Sequence, residues 1–540
     1  MDSRKVSISI SKLRSDPMQD LKQSDRASSE AGDDHTSGNR DLLKVASNAG
    51  IVAIGSAAHK VLRYLLSLLL TNTLGAGLYG IYVLSLTVTD IFKIFSVMGL
   101  NYGMIRYVSI FSGKGDAAKV KGVLAFIIKI SSAVSIVLTV ALYLSANPIA
   151  HGIFGKPMLG GALQLLAFAL PCTVVAFVLM AAFKGFQRLK YVVYVENLFT
   201  PTVRLALVSV CFVAGWKLYG VLAAVLVSSV LGSMLAFYYL WRLFPEISRA
   251  SLKGEVERRT VVGYSFPLFL TAFLSVFINR TDILMLGYFA EAENVGIYAI
   301  AQRLSHLVFF VSASFIGIFA PMISELHALN QRERLRSLFK TVARWVVTLS
   351  LPIFLVLVLF SEPVLRLFGE DFVEGKMILY ILCCVTLFNS VIGLSGQIIG
   401  MTGRSKLTFI NALLAAMLNV LLNLAFIPKY GMVGAAVGTA ISIAAVNVAR
   451  VVEVFYLERM QMLSAAMLKP LLVGSASVAL ILFVRRYLII GDGLLDILFY
   501  SALFGALYFG TLLMTKLEEE DKQIVMAVRD RIAGRRFALK

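Results

Sequence analysis

Apolar runs recur along most of this chain, and each has the roughly 20 residues that a helix needs to cross a hydrocarbon core of about 30 Å. Inside lipid every backbone N–H and C=O group must be paired within the protein, which a helix achieves locally. The pattern therefore predicts an all-α polytopic membrane protein. A hydrophobic share of 58% and a charged share of 15% exclude a soluble globular chain of 540 residues.

The runs predict fourteen transmembrane helices in two parallel six-helix lobes, followed by two additional C-terminal helices. The spans expected in the first lobe are 45–71, 79–100, 121–145, 161–183, 193–214 and 219–241. Those expected in the second lobe are 262–289, 296–320, 342–361, 375–400, 406–427 and 432–456, and the additional pair is 466–484 and 494–515.

These spans divide the chain into five regions. Residues 1–43 are rich in Ser, Asp, Lys and Arg without a hydrophobic period, so we expect a disordered cytoplasmic tail. The two lobes would occupy 44–250 and 251–460, and the additional helices would occupy 461–515. Residues 516–540 would form a basic cytoplasmic tail, either solvated or as an amphipathic helix on the anionic leaflet.

Lys and Arg are concentrated in alternate loops. With the N-terminus placed inside, the expected cytoplasmic loops hold 21 of them and the expected outer loops hold 6. This asymmetry predicts a multi-pass protein of the cell (plasma or inner) membrane with both termini in the cytoplasm. The net charge of +19 then arises from loops and tails, and we expect no nucleic-acid partner.

The chain contains a long internal repeat. Gly80-Ile-Tyr82 recurs as Gly296-Ile-Tyr298, and an arginine precedes each triplet within the same apolar stretch. Gly220–Ser228 recurs as Gly434–Ser442 at a slightly shorter spacing. Because both halves would begin inside and contain six helices, the repeats are expected to be parallel. Such a repeat with buried charge is typical of a two-lobed transporter.

Several Gly- and aromatic-rich stretches add a resemblance to a known family. They are Leu74-Gly-Ala-Gly-Leu-Tyr-Gly80, Thr281-Asp-Ile-Leu-Met-Leu-Gly-Tyr288, Val295-Gly-Ile-Tyr298, Gly400-Met-Thr-Gly-Arg404 and Ile427-Pro-Lys-Tyr-Gly-Met-Val-Gly-Ala-Ala436. With them, residues 45–456 resemble the oligosaccharide (O-antigen/polysaccharide) flippase family of the MATE-like MOP exporter superfamily. The resemblance implies alternating-access movement of lipid-diphosphate-linked oligosaccharide to the outer leaflet, for cell-surface polysaccharide or glycan assembly. Polysaccharide polymerase or glycosyltransferase partners would act on that product.

Basic residues within the apolar spans are the candidate substrate ligands. A charge at the bilayer centre costs roughly 2.5 kcal/mol or more, so such residues usually face a wet or polar interior. Lys60 and Arg63 share one helix stripe with His59. Arginine grips phosphate oxygens bidentately, which favours Arg63 and Arg280 as diphosphate ligands. The full expected cationic cavity comprises Lys60, Arg63, Arg204, Arg280 and Arg303.

Other interpretations of these charges stay open. Lys60 and Arg63 could instead pair structurally with Asp90. Asp90 could also pair with Lys93, at a spacing of three, or act as an ion-coupling site. Asp282 could meet a basic residue on a neighbouring helix or accept a coupling H⁺ or Na⁺. Arg204 could line the cavity or extend to the membrane surface.

Two further classes of function compete with the flippase. A cation-coupled multidrug or metabolite exporter of the MATE type would be expected to have an acidic cavity. A membrane glycosyltransferase would need a large outer loop with catalytic residues, yet the longest expected outer loops are only 146–160 and 361–374. The four cysteines lie in apolar runs without CxxC spacing. We therefore expect no enzyme, no catalytic residues, no metal and no cofactor.

Overall fold

The computed structural model describes residues 17–248, 252–461, 465–487 and 493–515. All of the regular elements in these ranges are helical, so the predicted all-α class is confirmed. The expected tail 516–540 and residues 1–16 of the expected tail 1–43 lie outside the described residues. The first helix begins at Pro17, within the segment expected to be disordered.

Seventeen α-helices are present in the described part of the chain. The first nine are α1 Pro17–Val97, α2 Leu100–Gly113, α3 Ala117–Asn147, α4 Pro157–Ala167, α5 Ala169–Gly185, α6 Leu189–Val192, α7 Thr200–Val213, α8 Leu218–Leu243 and α9 Arg258–Phe289. The others are α10 Ala292–Ala328, α11 Arg332–Leu359, α12 Ser361–Arg366, α13 Lys376–Ile392, α14 Leu394–Met401, α15 Ser405–Glu458, α16 Leu468–Tyr487 and α17 Leu494–Met514.

Eleven of the described helical segments are long and apolar enough to cross a membrane. The number becomes twelve if α4 and α5, which meet at a bend of 50°, form one span. A polytopic helical membrane fold is thus confirmed. One predicted boundary differs from the structure. Residues 101–121 were expected to form the loop between the spans 79–100 and 121–145, but they contain most of α2.

Two helices are interrupted by a glycine. The 54 residues of α15 would measure about 81 Å as one straight helix, far more than a bilayer's thickness. Gly431 breaks this helix with φ 55° and ψ −134°, and Gly75 breaks α1 with φ 71° and ψ 174°. Both glycines have a positive φ, which is accessible to them because they have no Cβ to clash. Each break falls within an outer loop expected from the sequence.

The centre of the molecule is a buried core shared by α1, α9, α10 and α13. Its largest fully buried side chains include Tyr79 and Tyr298, which belong to the two repeated segments, and Phe372. The ring of Tyr79 packs edge-on against Phe372 at a centroid distance of 6.0 Å. Residues from both halves of the repeat therefore meet in one core.

The additional helices α16 and α17 pack against α11. The hydroxyl of Tyr508 donates to the Thr348 carbonyl at 3.0 Å, and the rings of Phe360 and Tyr500 stack 6.4 Å apart. Arg485 and Asp496 form an ion pair of 3.2 Å that joins the two additional helices to each other. These contacts attach the pair to the second half of the repeat.

Candidate functional site

A cavity of about 490 Å³ lies between α1, α9 and α10, and we call it the central cavity. Four of the five basic residues expected there line it, namely Lys60, Arg63, Arg280 and Arg303. They come from three helices that belong to both halves of the repeat. The other lining residues are Tyr64, Val83, Val276, Asn279, Ile283, Ala299, Gln302, His306, Leu307 and Phe310.

Arg204, the fifth expected residue, is not among the residues that line this cavity. It lies on α7, where its Nε donates to the Ser228 hydroxyl of α8 at 3.0 Å. The structure therefore places Arg204 in a contact between two helices of the first half. A single charged residue in an apolar span does not reveal in which direction its helix is rotated, so sequence alone could not separate it from the other four.

Three cations in the central cavity have no carboxylate partner in the part of the chain that the structure describes: Lys60, Arg63 and Arg303. The Lys60 ammonium lies over the Phe310 ring, 3.4 Å from its centroid, in a cation–π contact. Arg303 donates to the Ser67 hydroxyl. The alternative in which Asp90 neutralises Lys60 and Arg63 is not what the structure shows.

Asp90 instead pairs with Arg280. Its carboxylate accepts a hydrogen bond of 2.8 Å from the Arg280 guanidinium, linking α1 to α9. The i, i+3 pair with Lys93 expected from the sequence is therefore not formed. The Lys93 ammonium lies over the Phe177 ring of α5 at 4.7 Å. The partner of Asp90 is thus 190 residues away in the sequence, on α9.

Asp282 lies outside the central cavity, within the second half of the repeat, and its side chain is almost fully buried. Its carboxylate accepts four hydrogen bonds, all from uncharged groups. The donors are Tyr298 at 2.8 Å, Thr439 at 2.8 Å, Asn423 at 2.8 Å and Asn419 at 3.3 Å. Among the described residues, Asp282 therefore has no basic partner, which was one of the two expectations for it.

The residues around Asp282 were missed by the sequence reasoning, although one signal was present. Asn419 and Asn423 stand four residues apart in an apolar helix, so they present two amides to one neighbour. The Asn423 carbonyl oxygen is buried without a hydrogen-bond partner in the described structure. Carboxylate, amide and hydroxyl oxygens together form a donor set that suits a small hard cation.

The C-terminus of α9 and the N-terminus of α10 lie close to α1 just after Gly75, and we call this region the outer end after its expected orientation. The Lys156 ammonium donates to the carbonyls of Gly287 and Ala290 at 2.6 and 2.8 Å, at the C-terminus of α9. Burial lowers the pKa of Lys156, and the nearby Glu291 carboxylate opposes that shift. These contacts join the two halves of the repeat.

In a second contact at the outer end, a side chain of the second half binds a helix of the first half. Asp371, from the second half, accepts the backbone N–H of Ala76 at 3.4 Å, where α1 resumes after its break. The Asn72 amide donates to the Leu367 carbonyl at 2.7 Å. A cation at a helix C-terminus and a carboxylate at a helix N-terminus both complement the helix dipole. Two reciprocal contacts of a charged side chain with a helix end, together with the Asn72 amide, thus join the halves at the outer end.

Comparison with solved structures establishes the class of fold. The lipid II flippase MurJ in an inward closed conformation superposes with a TM-score of 0.66 at 15% identity, covering 85% of this chain and 99% of that one. The MATE multidrug transporter DinF-BH gives 0.56 at 19% identity, covering 78% and 97%. The chain therefore has the fold that these two membrane transporters share.

The family follows from the sequence comparisons. The polysaccharide biosynthesis protein family matches residues 45–327, more than half of the chain, and the MatE family matches residues 267–425. The chain belongs to the polysaccharide biosynthesis protein family. The resemblance drawn from the glycine and aromatic motifs is confirmed.

Two curated relatives come from Haloferax volcanii. The probable low-salt glycan biosynthesis flippase Agl15 is 25% identical over 228 residues, which is 42% of this chain and 48% of the relative. The probable flippase AglR is 26% identical over 164 residues, or 30% and 34% of the two chains. The matched segment thus spans less than half the length of either relative.

Proposed function

We propose that this protein is a flippase that moves a lipid-diphosphate-linked oligosaccharide from the cytoplasmic to the outer leaflet by alternating access. The observation that carries the proposal is the set of unneutralised cations in the described central cavity, Lys60, Arg63 and Arg303. Cations at membrane depth are costly unless water or an anion compensates them. A diphosphate would supply that anion during transport, while its lipid tail could stay in the bilayer.

Arg280 would contribute to the same anion site. Its ion pair with Asp90 is half-exposed, with side-chain exposures of 39% and 38%, so the guanidinium remains accessible from the cavity. An arginine held by one carboxylate retains further N–H donors for phosphate oxygens. Substrate binding could therefore exchange or share the Asp90 contact, which would link anion binding to the contact between α1 and α9.

The proposed topology has fourteen transmembrane helices. The breaks at Gly75 and Gly431 would divide α1 and α15 into two spans each, and α4 with α5 would form one bent span. We place the protein in the cell membrane with both termini in the cytoplasm, as the distribution of Lys and Arg favours. The two reciprocal outer contacts would then close the cavity on the outer side, as one state of an alternating cycle requires.

Asp282 is the group that we propose for ion coupling. A buried carboxylate with only neutral neighbours can take up H⁺ or Na⁺ with little rearrangement, since no fixed cation competes. The unpartnered Asn423 oxygen fits a cation ligand better than it fits a purely structural network. The flipped product would then be consumed by a polysaccharide polymerase or glycosyltransferase at the outer leaflet, without catalysis by this protein.

A cation-coupled multidrug exporter is the second candidate, because the similarly folded DinF-BH is a MATE multidrug transporter. Its cationic substrates would be repelled by the central cavity, which holds four basic residues and no acidic lining residue among those described. The charge of the cavity therefore favours the lipid-linked glycan.

The test is flipping of a fluorescent diphosphate-linked sugar lipid in proteoliposomes. We expect transport by the wild-type protein and loss of transport in the double variant Arg63→Ala, Arg280→Ala, with normal reconstitution. Lys217→Ala is the matched control, because this exposed lysine at the start of α8 does not line the central cavity. Equal transport by the double variant would overturn the cavity assignment. Uptake of small cationic dyes instead of the lipid would favour the exporter.

A further inference from the structure

A second cavity of about 390 Å³ adjoins the central cavity, and we call it the side cavity. It lies between α1, α2, α5 and α9, and it shares Val276 and Arg280 with the central cavity. From Arg280 it extends along α9 to Phe269, or about 16 Å of helix. A ligand whose anionic group binds at Arg280 can therefore continue into this space.

The polar groups of the side cavity have unused hydrogen-bonding capacity. The Asn101 amide and the Tyr102 hydroxyl have no hydrogen-bond partner within the described ranges. Thr271 and Ser275 are exposed and donate only to backbone carbonyls of their own helix, which leaves their oxygens free to accept. Such a lining suits a ligand that carries several hydroxyl groups.

Aromatic rings form the apolar part of the same lining. Phe177 and Phe269 contribute from α5 and α9, beside the ring of Tyr102. A sugar ring has apolar C–H faces surrounded by hydroxyls, so it matches rings interleaved with an amide and hydroxyls. Ligand sites of this kind combine apolar walls with a few placed polar groups. The side cavity thus has the chemistry of a saccharide site.

Lys93 gives this cavity an unbalanced positive charge. Its potential partner Asp90 is already paired with Arg280, and no carboxylate contacts Lys93 among the described residues. The cation–π contact with Phe177 attracts the ammonium but does not cancel its charge. Lys93 stands near the end of an apolar span, where an ammonium without a carboxylate partner is stabilised further by an anion.

We propose that the side cavity binds the sugar adjoining the diphosphate, and that Lys93 selects sugars with an anionic substituent, such as the carboxylate of a uronic acid. The identity of the transported molecule rests on the proposed function, whereas the selectivity of the cavity does not. Lys93 is the residue that determines the preference, and Asn101 and Tyr102 bind sugar hydroxyls whatever the charge.

The test compares two soluble probes, glucuronic acid 1-phosphate and glucose 1-phosphate, for binding to the purified full-length protein by calorimetry. We expect the glucuronic acid probe to bind about fivefold more tightly, as for a solvent-accessible ion pair. Lys93→Gln should abolish the preference, and Lys93→Arg should retain it. Lys217→Gln is the control and should leave both affinities unchanged, because Lys217 lines neither cavity.

The outcomes separate this inference from the proposed function. Equal affinities for the two probes in the wild type, or an undiminished preference in Lys93→Gln, would overturn it. A preference that depends on Lys93 supports it, even if the protein fails to flip a diphosphate-linked lipid in proteoliposomes. Failure of flipping alone would count against the flippase and leave the saccharide site standing.

Discussion

Gly80 and Gly296, equivalent positions in the internal repeat, lie against each other where α1 crosses α10. A Cβ atom on Gly80 would lie 1.7 Å from the Ala292 carbonyl oxygen, and one on Gly296 would lie 2.3 Å from that of Ala76. Ala76 and Ala292 are themselves equivalent positions, related by the same offset as the two glycines. The repeated triplets therefore mark a reciprocal backbone contact between the two halves, close to the outer end.

Substituting these glycines should weaken the closed outer end. In Gly80→Ala and Gly296→Ala the added methyl meets backbone atoms, which cannot move aside as a side chain can, so we expect a cost of about 1–3 kcal/mol. A lower melting temperature of the purified protein would show this loss of stability. Gly77→Ala is the matched control, because a Cβ there meets nothing within 4 Å. Equal melting temperatures for Gly77→Ala and Gly80→Ala would contradict the close contact.

Removing the charge of Lys156 should open the outer end. Lys156→Met loses the hydrogen bonds to the α9 carbonyls, and bonds to charged groups contribute about 1.5–3 kcal/mol each. We expect faster labelling, from the outer side, of a cysteine placed at the cavity residue Ala299. Lys217→Met should leave the labelling rate at its wild-type value. Unchanged labelling in Lys156→Met would argue against a gating role.

Substituting Arg280 and substituting Asp90 should have different effects on the affinity for diphosphate. Arg280→Gln removes a phosphate ligand, so diphosphate binding should weaken by about tenfold or more. Asp90→Asn frees the guanidinium from its competing carboxylate and should maintain or strengthen that binding. Calorimetry with inorganic pyrophosphate would measure both. Equal losses in the two variants would indicate that the pair is structural and that Arg280 contacts no phosphate.

Asp282 should be required for ion-driven transport but not for substrate binding. Asp282→Asn removes the charge that a coupling ion would neutralise, while Thr439→Val removes one oxygen ligand and keeps the carboxylate. We expect Asp282→Asn to abolish gradient-driven flipping under either ion. Thr439→Val should impair transport driven by Na⁺ and spare transport driven by H⁺. Wild-type rates for Asp282→Asn, under imposed Na⁺ and pH gradients in turn, would exclude it as the coupling group.

Much of the central cavity could be predicted from the sequence. Lys60, Arg63, Arg280 and Arg303 stand out because the cost of a charge in an apolar helix leaves few orientations other than an inward one. Arg204 met the same criterion and yet lies between α7 and α8. Burial of a charge can thus be inferred from the surrounding residues, whereas the space it faces depends on how its helix is rotated against its neighbours.

What the sequence by itself determined is the membrane class, the repeat and the set of charges that must avoid lipid, because these follow from composition and period along one chain. Only the tertiary structure decided the partners. Asp90 pairs with Arg280 of α9 instead of the nearby Lys93. Within the part of the chain that the structure describes, Asp282 has no cation as partner and accepts hydrogen bonds from four neutral side chains, those of Asn419, Asn423, Thr439 and Tyr298. Contacts between helices depend on their mutual rotation and register, which packing of the whole core sets.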